Sequence, residues 1–254
     1  MSDNWIIALG LIVPGVATGF GAMPALFMKD VSRKWLDAML GFAAGVMLSA
    51  TGFSLILPSI EYGGGGLVAV LVTAAGVLVG AGLIDVIDYF APHEHLIDKH
   101  HEGVASDSLK KIWLFVIAIA IHNIPEGMAV GVAFGSNNLS NGIPIAIGIG
   151  LQNMPEGLAV AFALMRENYS AKKAFWIALI TGLLEPVAAY LGFGLVRLFH
   201  PALPFILALA GGAMLFVITD EVIPETHSGG NERIASYAMI IGFVVMMVLD
   251  VWLG

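Results

Sequence analysis

Eight stretches of about 20 mainly apolar residues follow one another along this chain, separated by polar or turn-forming residues. A segment of that length spans a bilayer as an α-helix, because a helix satisfies its own backbone hydrogen bonds. Only 12% of the residues are charged, against about 25% in soluble domains, which excludes an ordinary soluble enzyme. The sequence therefore predicts an all-α integral membrane protein with one transmembrane domain over residues 1–254. The predicted spans are 5–27, 36–57, 67–90, 112–134, 143–165, 175–196, 203–223 and 234–253.

The basic residues give an independent indication of the topology. Ten of the eleven Lys and Arg residues lie in the first, third, fifth and seventh connections, and Arg197 alone lies in an even-numbered one. Short connections rich in Lys and Arg stay in the cytoplasm. This alternation predicts eight transmembrane helices with both termini outside.

Net charge and cysteine content narrow the classes of partner. The net charge of −8 speaks against nucleic acid, which requires basic patches to neutralise its phosphates. No cysteine is present, which excludes disulfides, thiolate zinc sites and iron–sulfur clusters. The expected partners are the lipid bilayer and a cation, and a homodimer is left open.

Carboxylates accumulate inside the predicted spans, where no Lys or Arg accompanies them. Each costs several kcal/mol at membrane depth, so each is a functional hypothesis. A bound cation or protonation would make them tolerable. Asp85 and Asp250 lie near span ends, where facing the interface is an equal alternative. The acids are Asp85, Asp88, Glu126, Glu156, Glu185, Asp220, Glu221 and Asp250.

An internal repeat is the sharpest motif. His122-Asn-Ile-Pro-Glu-Gly-Met-Ala-Val130 in span 4 recurs as Gln152-Asn-Met-Pro-Glu-Gly-Leu-Ala-Val160 in span 5. Adjacent spans run antiparallel, so the copies can meet about a two-fold axis in the membrane plane, as at transporter sites. The i,i+4 spacing places His122 with Glu126, and Gln152 with Glu156, on one helix face.

The prolines of the repeat predict kinked helices 4 and 5 at the centre of the bundle. Pro125 and Pro155 cannot donate backbone hydrogen bonds, so carbonyls are freed, and a metal, water, or Asn123 and Asn153 could satisfy them. A proline kink with a chance acid would explain one copy, but hardly two in register. Imidazole, carboxylate and amide ligands suit Zn, Fe, Mn or Cd. Glu185, which precedes another proline, is a candidate third carboxylate or a ligand of a second ion.

The repeated Asn-x-Pro-Glu-Gly, with Glu185-Pro186 and the later Asp220-Glu-Val-Ile-Pro-Glu-Thr-His227, resembles the ZIP family of metal-ion transporters, most closely its bacterial GufA-like branch. The resemblance implies import of Zn2+ and related ions such as Cd2+, Fe2+ and Mn2+ into the cytoplasm, across a bacterial inner membrane. It also implies a binuclear site between spans 4, 5 and 6. The implied ligands are His122, Asn123, Glu126, Gln152, Asn153, Glu156 and Glu185.

The same resemblance assigns an exit region at the cytoplasmic end of span 7 to Asp220, Glu221, Glu225 and His227. Gln152 stands where many relatives have histidine, which weakens a preference for softer metals. Asn153 is neutral where some relatives carry aspartate.

A histidine-rich connection occupies residues 91–109, with four of the seven histidines within nine residues. Such a tract can bind divalent metals loosely, or it can be a solvated connector.

Two rival functions use similar residues. An intramembrane metallohydrolase would need a His-Glu-x-x-His pairing, which is missing, so no enzyme is expected. A metal-selective pore without a conformational cycle remains the alternative to a carrier.

Overall fold

The computed structural model describes residues 4–90, 93–94, 101–102, 111–136 and 139–253. They form a helical bundle, which confirms the predicted all-α class. A two-residue antiparallel ladder, β1 (His93–Glu94) with β2 (His101–Glu102), is also present. The helices are α1 (Asn4–Ala22), α2 (Arg33–Ala50), α3 (Leu57–Tyr62), α4 (Gly66–Phe90), α5 (Lys111–Gly135), α6 (Leu139–Arg166), α7 (Ala171–Gly182), α8 (Leu184–Leu198), α9 (Leu203–Val217), α10 (Ile223–His227) and α11 (Glu232–Leu253).

Seven helical stretches of the described chain are long and apolar enough to cross a membrane. Several combine two consecutive helices, such as α7 with α8. The fourth predicted span lies in α5, which has 25 residues but does not belong to these seven. The candidate spans are Asn4–Leu26, Arg33–Tyr62, Gly66–Ile87, Leu139–Arg166, Ala171–Leu198, His200–His227 and Glu232–Leu253.

Two π-helical segments interrupt the second and seventh predicted spans. Thr51–Ile56 joins α2 to α3, and Ile218–Val222 joins α9 to α10. In each case a proline follows two residues after the segment, Pro58 or Pro224. A proline withholds the N–H that a regular helix needs one turn earlier. π-helical bulges are frequent at functional sites, and the second segment contains Glu221.

Glycines let the helices approach in four close pairs, which is the usual role of small residues between membrane helices. Gly157 of α6 lies against Thr18 of α1, and Gly131 of α5 lies against Ala189 of α8. Gly45 of α2 contacts Met239 of α11, and α4 packs on α9 in the same way. A Cβ at each of these glycines would overlap backbone atoms.

The pairing divides the bundle into two groups of helices. We call α1 and α5–α8, which pack with the two helices of the repeat, the inner group, and α2–α4 with α9–α11 the outer group; α2 and α11 also pack on α6, and α9 packs on α5. α1 packs on α6 as α8 packs on α5. A rotation that exchanges α5 with α6 and α1 with α8 therefore places one pair on the other. This exchange is what an in-plane two-fold axis through the repeat requires.

One buried acid departs from the expectation that no salt bridge is available inside the spans. Asp37 lies within the second predicted span and is fully buried. Nε of Arg33, one helical turn earlier, lies 2.6 Å from its Oδ1. Asn231 donates a hydrogen bond of 2.9 Å to its Oδ2. The expectation was wrong here because α2 begins at Arg33, before the predicted span.

The end of α6 is tied to the connection between α1 and α2. Arg166 donates to Asp30 at 3.0 Å and to the carbonyl of Val31 at 3.1 Å. The hydrogen bond from Arg166 lowers the pKa of the exposed Asp30 carboxyl. Most of the predicted histidine-rich connection lies outside the described residues, so its metal binding stays a prediction.

Candidate metal centre

His122, Glu126 and Glu156 come together in the centre of the bundle. Each offers one ligand atom, and these atoms all lie within 4.8 Å of one another. The three side chains are buried, with exposed fractions of 2%, 0% and 3%. α5 supplies His122 and Glu126 from successive turns of one face, and α6 supplies Glu156. A nitrogen and two carboxylates at this separation can surround a single cation.

The two copies of the repeat contact each other across the helices. Nε2 of Gln152 donates to Oε1 of Glu126, although the two residues belong to different copies. The counterpart of this pair under the two-fold exchange is His122 with Glu156, which also lie close together. The i,i+4 spacing therefore places the side chains on the faces of α5 and α6 that point toward each other. The antiparallel packing of the two helices then decides which side chains meet.

Asn153 connects the centre to α1 and α8. Its Nδ2 donates to both oxygens of Glu185, at 2.7 and 2.8 Å, and to the carbonyl oxygen of Pro14 at 2.8 Å. The sequence suggested that this amide could satisfy the carbonyl freed by Pro155. Instead it bonds to the neighbouring helices. Its Oδ1 is buried and has no hydrogen-bond partner among the described residues, so an oxygen ligand remains.

Glu185 and Asn123 are buried and are not among the three central ligands. Glu185 is 1% exposed and joins the centre through Asn153. Asn123 is fully buried, and both of its side-chain polar atoms lack a hydrogen-bond partner within the described chain. Buried polar groups are normally satisfied. Unpaired oxygens beside buried carboxylates are what a second cation would use.

The glycine of each Pro-Glu-Gly allows a partner helix to pass beside the glutamate. A Cβ at Gly127 would overlap the carbonyl of Glu185, and one at Gly157 would overlap that of Thr18. Thr18 on α1 and Glu185 on α8 thus occupy corresponding places about the two-fold axis. Only one of them is an acid, which makes the centre asymmetric.

Glu221 is the site residue that the sequence placed elsewhere. It was assigned with its neighbours to an exit region, yet its Oε2 lies 3.1 Å from Nδ1 of His122. Glu221 is 5% exposed and belongs to the π-helical segment after α9. The signal was present in the sequence as an acid three residues before Pro224, in a span without basic residues.

The charge of the centre is the feature that calls for a ligand. Within the described part of the chain, Arg33 and Arg166 form ion pairs at the helix ends with Asp37, Glu225 and Asp30. None joins a carboxylate of the centre. Uncompensated buried carboxylates are costly, and a divalent cation supplies the compensation that basic residues do not.

Known proteins align with this sequence over nearly its full length. Residues 91–250 match the family described as "ZIP Zinc transporter". Zinc transporter ZIPB of Bordetella bronchiseptica is 44% identical over 269 residues, covering 98% of this chain and 83% of ZIPB. Zinc transporter GufA of Myxococcus xanthus is 44% identical over 247 residues, covering 96% and 97%. Zinc transporter ZupT of Chlorobium chlorochromatii is 35% identical over 263 residues, covering 98% of both chains.

These relatives are transporters, which agrees with the expectation that the chain is not an enzyme. The match covers the helices that carry both copies of the repeat, Glu185 and Glu221. On this evidence the chain belongs to the ZIP family of metal-ion transporters, in the branch that includes GufA.

Proposed function

We propose that this protein carries divalent metal cations, zinc above all, across the bacterial inner membrane into the cytoplasm. The observation that carries the proposal is the convergence of His122, Glu126 and Glu156 within 4.8 Å in a buried, anionic centre. Imidazole with carboxylates is a borderline donor set that suits Zn2+ and also accepts Cd2+, Fe2+ and Mn2+. The relatives named zinc transporters favour zinc among these.

The first ion takes Nε2 of His122 and one carboxylate oxygen each from Glu126 and Glu156. Nε2 is the ligand because Glu221 engages the other ring nitrogen, an arrangement that commonly orients metal-bound histidines. The oxygen of Gln152 completes this set when its amide turns away from Glu126. Before Gln152 turns, three protein ligands leave the fourth position of a tetrahedral zinc ion to water, which suits an ion that must be released.

A second ion lies toward α8 and makes the centre binuclear. Glu185 and the oxygens of Asn123 and Asn153 supply its ligands, and the glutamates of the repeat bridge the two ions. The unpaired atoms of Asn123 and Asn153 support this position. Two divalent ions carry four positive charges, which balance the four carboxylates of Glu126, Glu156, Glu185 and Glu221.

Eight spans with both termini outside are the proposed orientation in the membrane, and movement of the ion toward the cytoplasm is what the resemblance to the ZIP family implies. α5, which contains the fourth predicted span, brings the seven candidate spans to eight, because it packs antiparallel on α6 and carries the first copy of the repeat. Exposed aromatic residues stand at both ends of the helices, where interfacial anchors are expected. Trp35 and Trp176 mark the end rich in Lys and Arg, and Trp5 and Trp252 mark the opposite end.

A carrier cycle fits the packing better than a fixed pore. All the proposed ligands lie on α5, α6 and α8 of the inner group, whereas Glu221 belongs to the outer group. A shift of the inner group against the outer group therefore moves the centre as a unit and changes the contact between His122 and Glu221. A fixed pore would need no such division.

The test is metal uptake into proteoliposomes over a panel of Zn2+, Cd2+, Fe2+ and Mn2+. The proposal predicts saturable uptake with Zn2+ preferred over Mn2+. Uptake that rises linearly with metal concentration would favour the pore, and absence of uptake for all four ions would contradict the proposal. Equilibrium binding of zinc to the purified protein adds the stoichiometry: two ions are expected for the natural sequence and one for Glu185→Gln.

A further inference from the structure

The hydroxyl of Thr18 on α1 is buried and has no hydrogen-bond partner among the described residues. Thr18 is 1% exposed. A buried threonine in a helix usually donates to a carbonyl of the preceding turn. Thr51, Thr181 and Thr226 are buried and do so, each at 2.8 Å. Because an unpaired buried hydroxyl is costly, the exception at Thr18 calls for a cause.

The carbonyl of Pro14 supplies that cause. Pro14 lies four residues before Thr18, so its oxygen is the acceptor that the hydroxyl would use. A carbonyl oxygen has two lone pairs. The helical pattern of α1 gives one to the backbone N–H of Thr18, and Nδ2 of Asn153 takes the other at 2.8 Å. The alternative acceptor, the carbonyl of Gly15, is packed against Gly182 of α7.

The same amide of Asn153 also blocks the carboxylate of Glu185. Its Nδ2 lies 2.7 and 2.8 Å from the two carboxylate oxygens, where a cation held by both oxygens would lie. The amide oxygen is the atom that binds a cation, and it is turned elsewhere, buried and unpaired within the described chain. For Asn153 and Glu185 to hold one ion together, the amide must turn. Turning withdraws its N–H from the carbonyl of Pro14.

We propose that Thr18 is a positioning residue for the second ion: when the amide of Asn153 turns to that ion, the hydroxyl of Thr18 takes over the carbonyl of Pro14. The hydroxyl reaches it by rotation about χ1, since the two residues are one turn apart on α1. The exchange keeps the second lone pair of the carbonyl occupied and favours the turned amide. Thr18 itself does not contact the metal. This inference rests on the second ion of the proposed function.

The competition for the carbonyl of Pro14 is tested without metal, by thermal unfolding of the purified protein in a chelator. Asn153→Ala removes the amide, so the hydroxyl of Thr18 should pair with the freed carbonyl. Thr18→Val keeps the shape without the hydroxyl. It should lower the unfolding temperature of the Asn153→Ala protein and leave that of the natural sequence unchanged or raised. Thr181→Val is the matched control, because its hydroxyl donates to Ala178, and its effect should be the same in both backgrounds. An equal effect of Thr18→Val in both backgrounds would overturn the proposal.

Equilibrium zinc binding tests the effect on the second ion and does not depend on the folding of Asn153→Ala. Thr18→Val should weaken the second ion about three- to tenfold, the usual cost of one hydrogen bond, whereas Thr18→Ser and Thr181→Val should retain its affinity. The single ion expected for Glu185→Gln should bind equally well when Thr18→Val is added.

Two results of the zinc titration would overturn this inference alone: two bound ions with an unchanged second affinity in Thr18→Val, or an equal loss of affinity for both ions. A single bound ion in the natural sequence would instead contradict the binuclear centre of the proposed function, and the inference with it.

Discussion

Nδ1 of His122 lies 3.1 Å from Oε2 of Glu221, so a carboxylate of the seventh predicted span holds the imidazole of the fourth. The two residues are 99 positions apart in the chain. A carboxylate on one ring nitrogen orients a histidine and directs the other nitrogen toward a metal. Glu221 is therefore expected to act through His122 on metal affinity.

Replacing Glu221 separates this positioning role from a role in metal exit. Glu221→Leu removes the acceptor, and zinc affinity should fall about tenfold or more, the usual cost of losing such a partner. Glu221→Gln keeps an oxygen acceptor and should retain most of the affinity. The measurement is equilibrium zinc binding to the purified protein in competition with a chelating dye. Asp220→Asn, a change to the neighbouring acid, is the control and should bind zinc normally. Unchanged affinity in Glu221→Leu with a lower maximal uptake rate would assign Glu221 to the exit.

Gln152→His tests the role of the neutral amide at the position where the other copy of the repeat has His122. An imidazole in place of the amide removes the hydrogen bond to Glu126 and adds a borderline nitrogen ligand, which favours Zn and Cd over Mn and Fe. We expect the ratio of Zn2+ to Mn2+ uptake to rise several-fold in a competition assay. The ratio is the appropriate readout because tighter binding can also slow the cycle. An unchanged ratio would mean that residue 152 does not contact the metal.

Some contacts of the metal centre could be predicted from the spacing of residues in the sequence, and others depend on how the helices pack. The i,i+4 pairs within α5 and α6 follow from helix geometry alone. The hydrogen bond from Gln152 to Glu126 depends on how the two helices are set against each other, which no local pattern encodes. Glu221 was placed elsewhere for a related reason: its contact arises from a π-helical segment that brings a distant span to His122.

The residues at which helices begin were likewise not predicted by a local hydrophobic pattern. Hydrophobicity located the helices but not the residues that extend them, because polar first turns can belong to a membrane helix. The buried pair of Arg33 and Asp37 was missed in this way. The Ser32 side chain caps α2 by accepting a hydrogen bond from Trp35, and an N-cap serine is the local signal that would have placed the start correctly.

Relative motion of the two helix groups can be tested by cross-linking, since the chain has no cysteine of its own. Nδ2 of Asn141 on α6 lies 3.2 Å from the hydroxyl of Tyr62 on α3, so these residues bridge the groups. Tyr62→Cys with Asn141→Cys, joined by a short bifunctional thiol reagent, should stop zinc uptake, and a cleavable reagent should allow recovery. Trp113→Cys with Tyr169→Cys lies within the inner group and is the control. Full uptake by the cross-linked Tyr62–Asn141 protein would favour a pore.

Deleting residues 93–102 should lower the efficiency of uptake at low zinc without abolishing it. On the proposed function the ligands all lie in the bundle, so we expect this connection to collect metal rather than to form the path. Radiolabelled zinc uptake is measured as a function of concentration, with the maximal rate expected within about twofold of the natural sequence. Replacing the four histidines of the segment with serine separates the loss of histidine from the loss of length. Complete loss of uptake by a correctly inserted serine variant would place the segment on the transport path.

The central claim is that His122, Glu126 and Glu156 hold the transported ion, and uptake of radiolabelled zinc into proteoliposomes tests it most directly. His122→Ala and Glu126→Ala should each retain less than about a tenth of the uptake at equal reconstitution, because each removes a metal ligand. His200→Ala, a change to an exposed histidine, should leave uptake unchanged. Near-normal zinc uptake by either His122→Ala or Glu126→Ala would contradict the account.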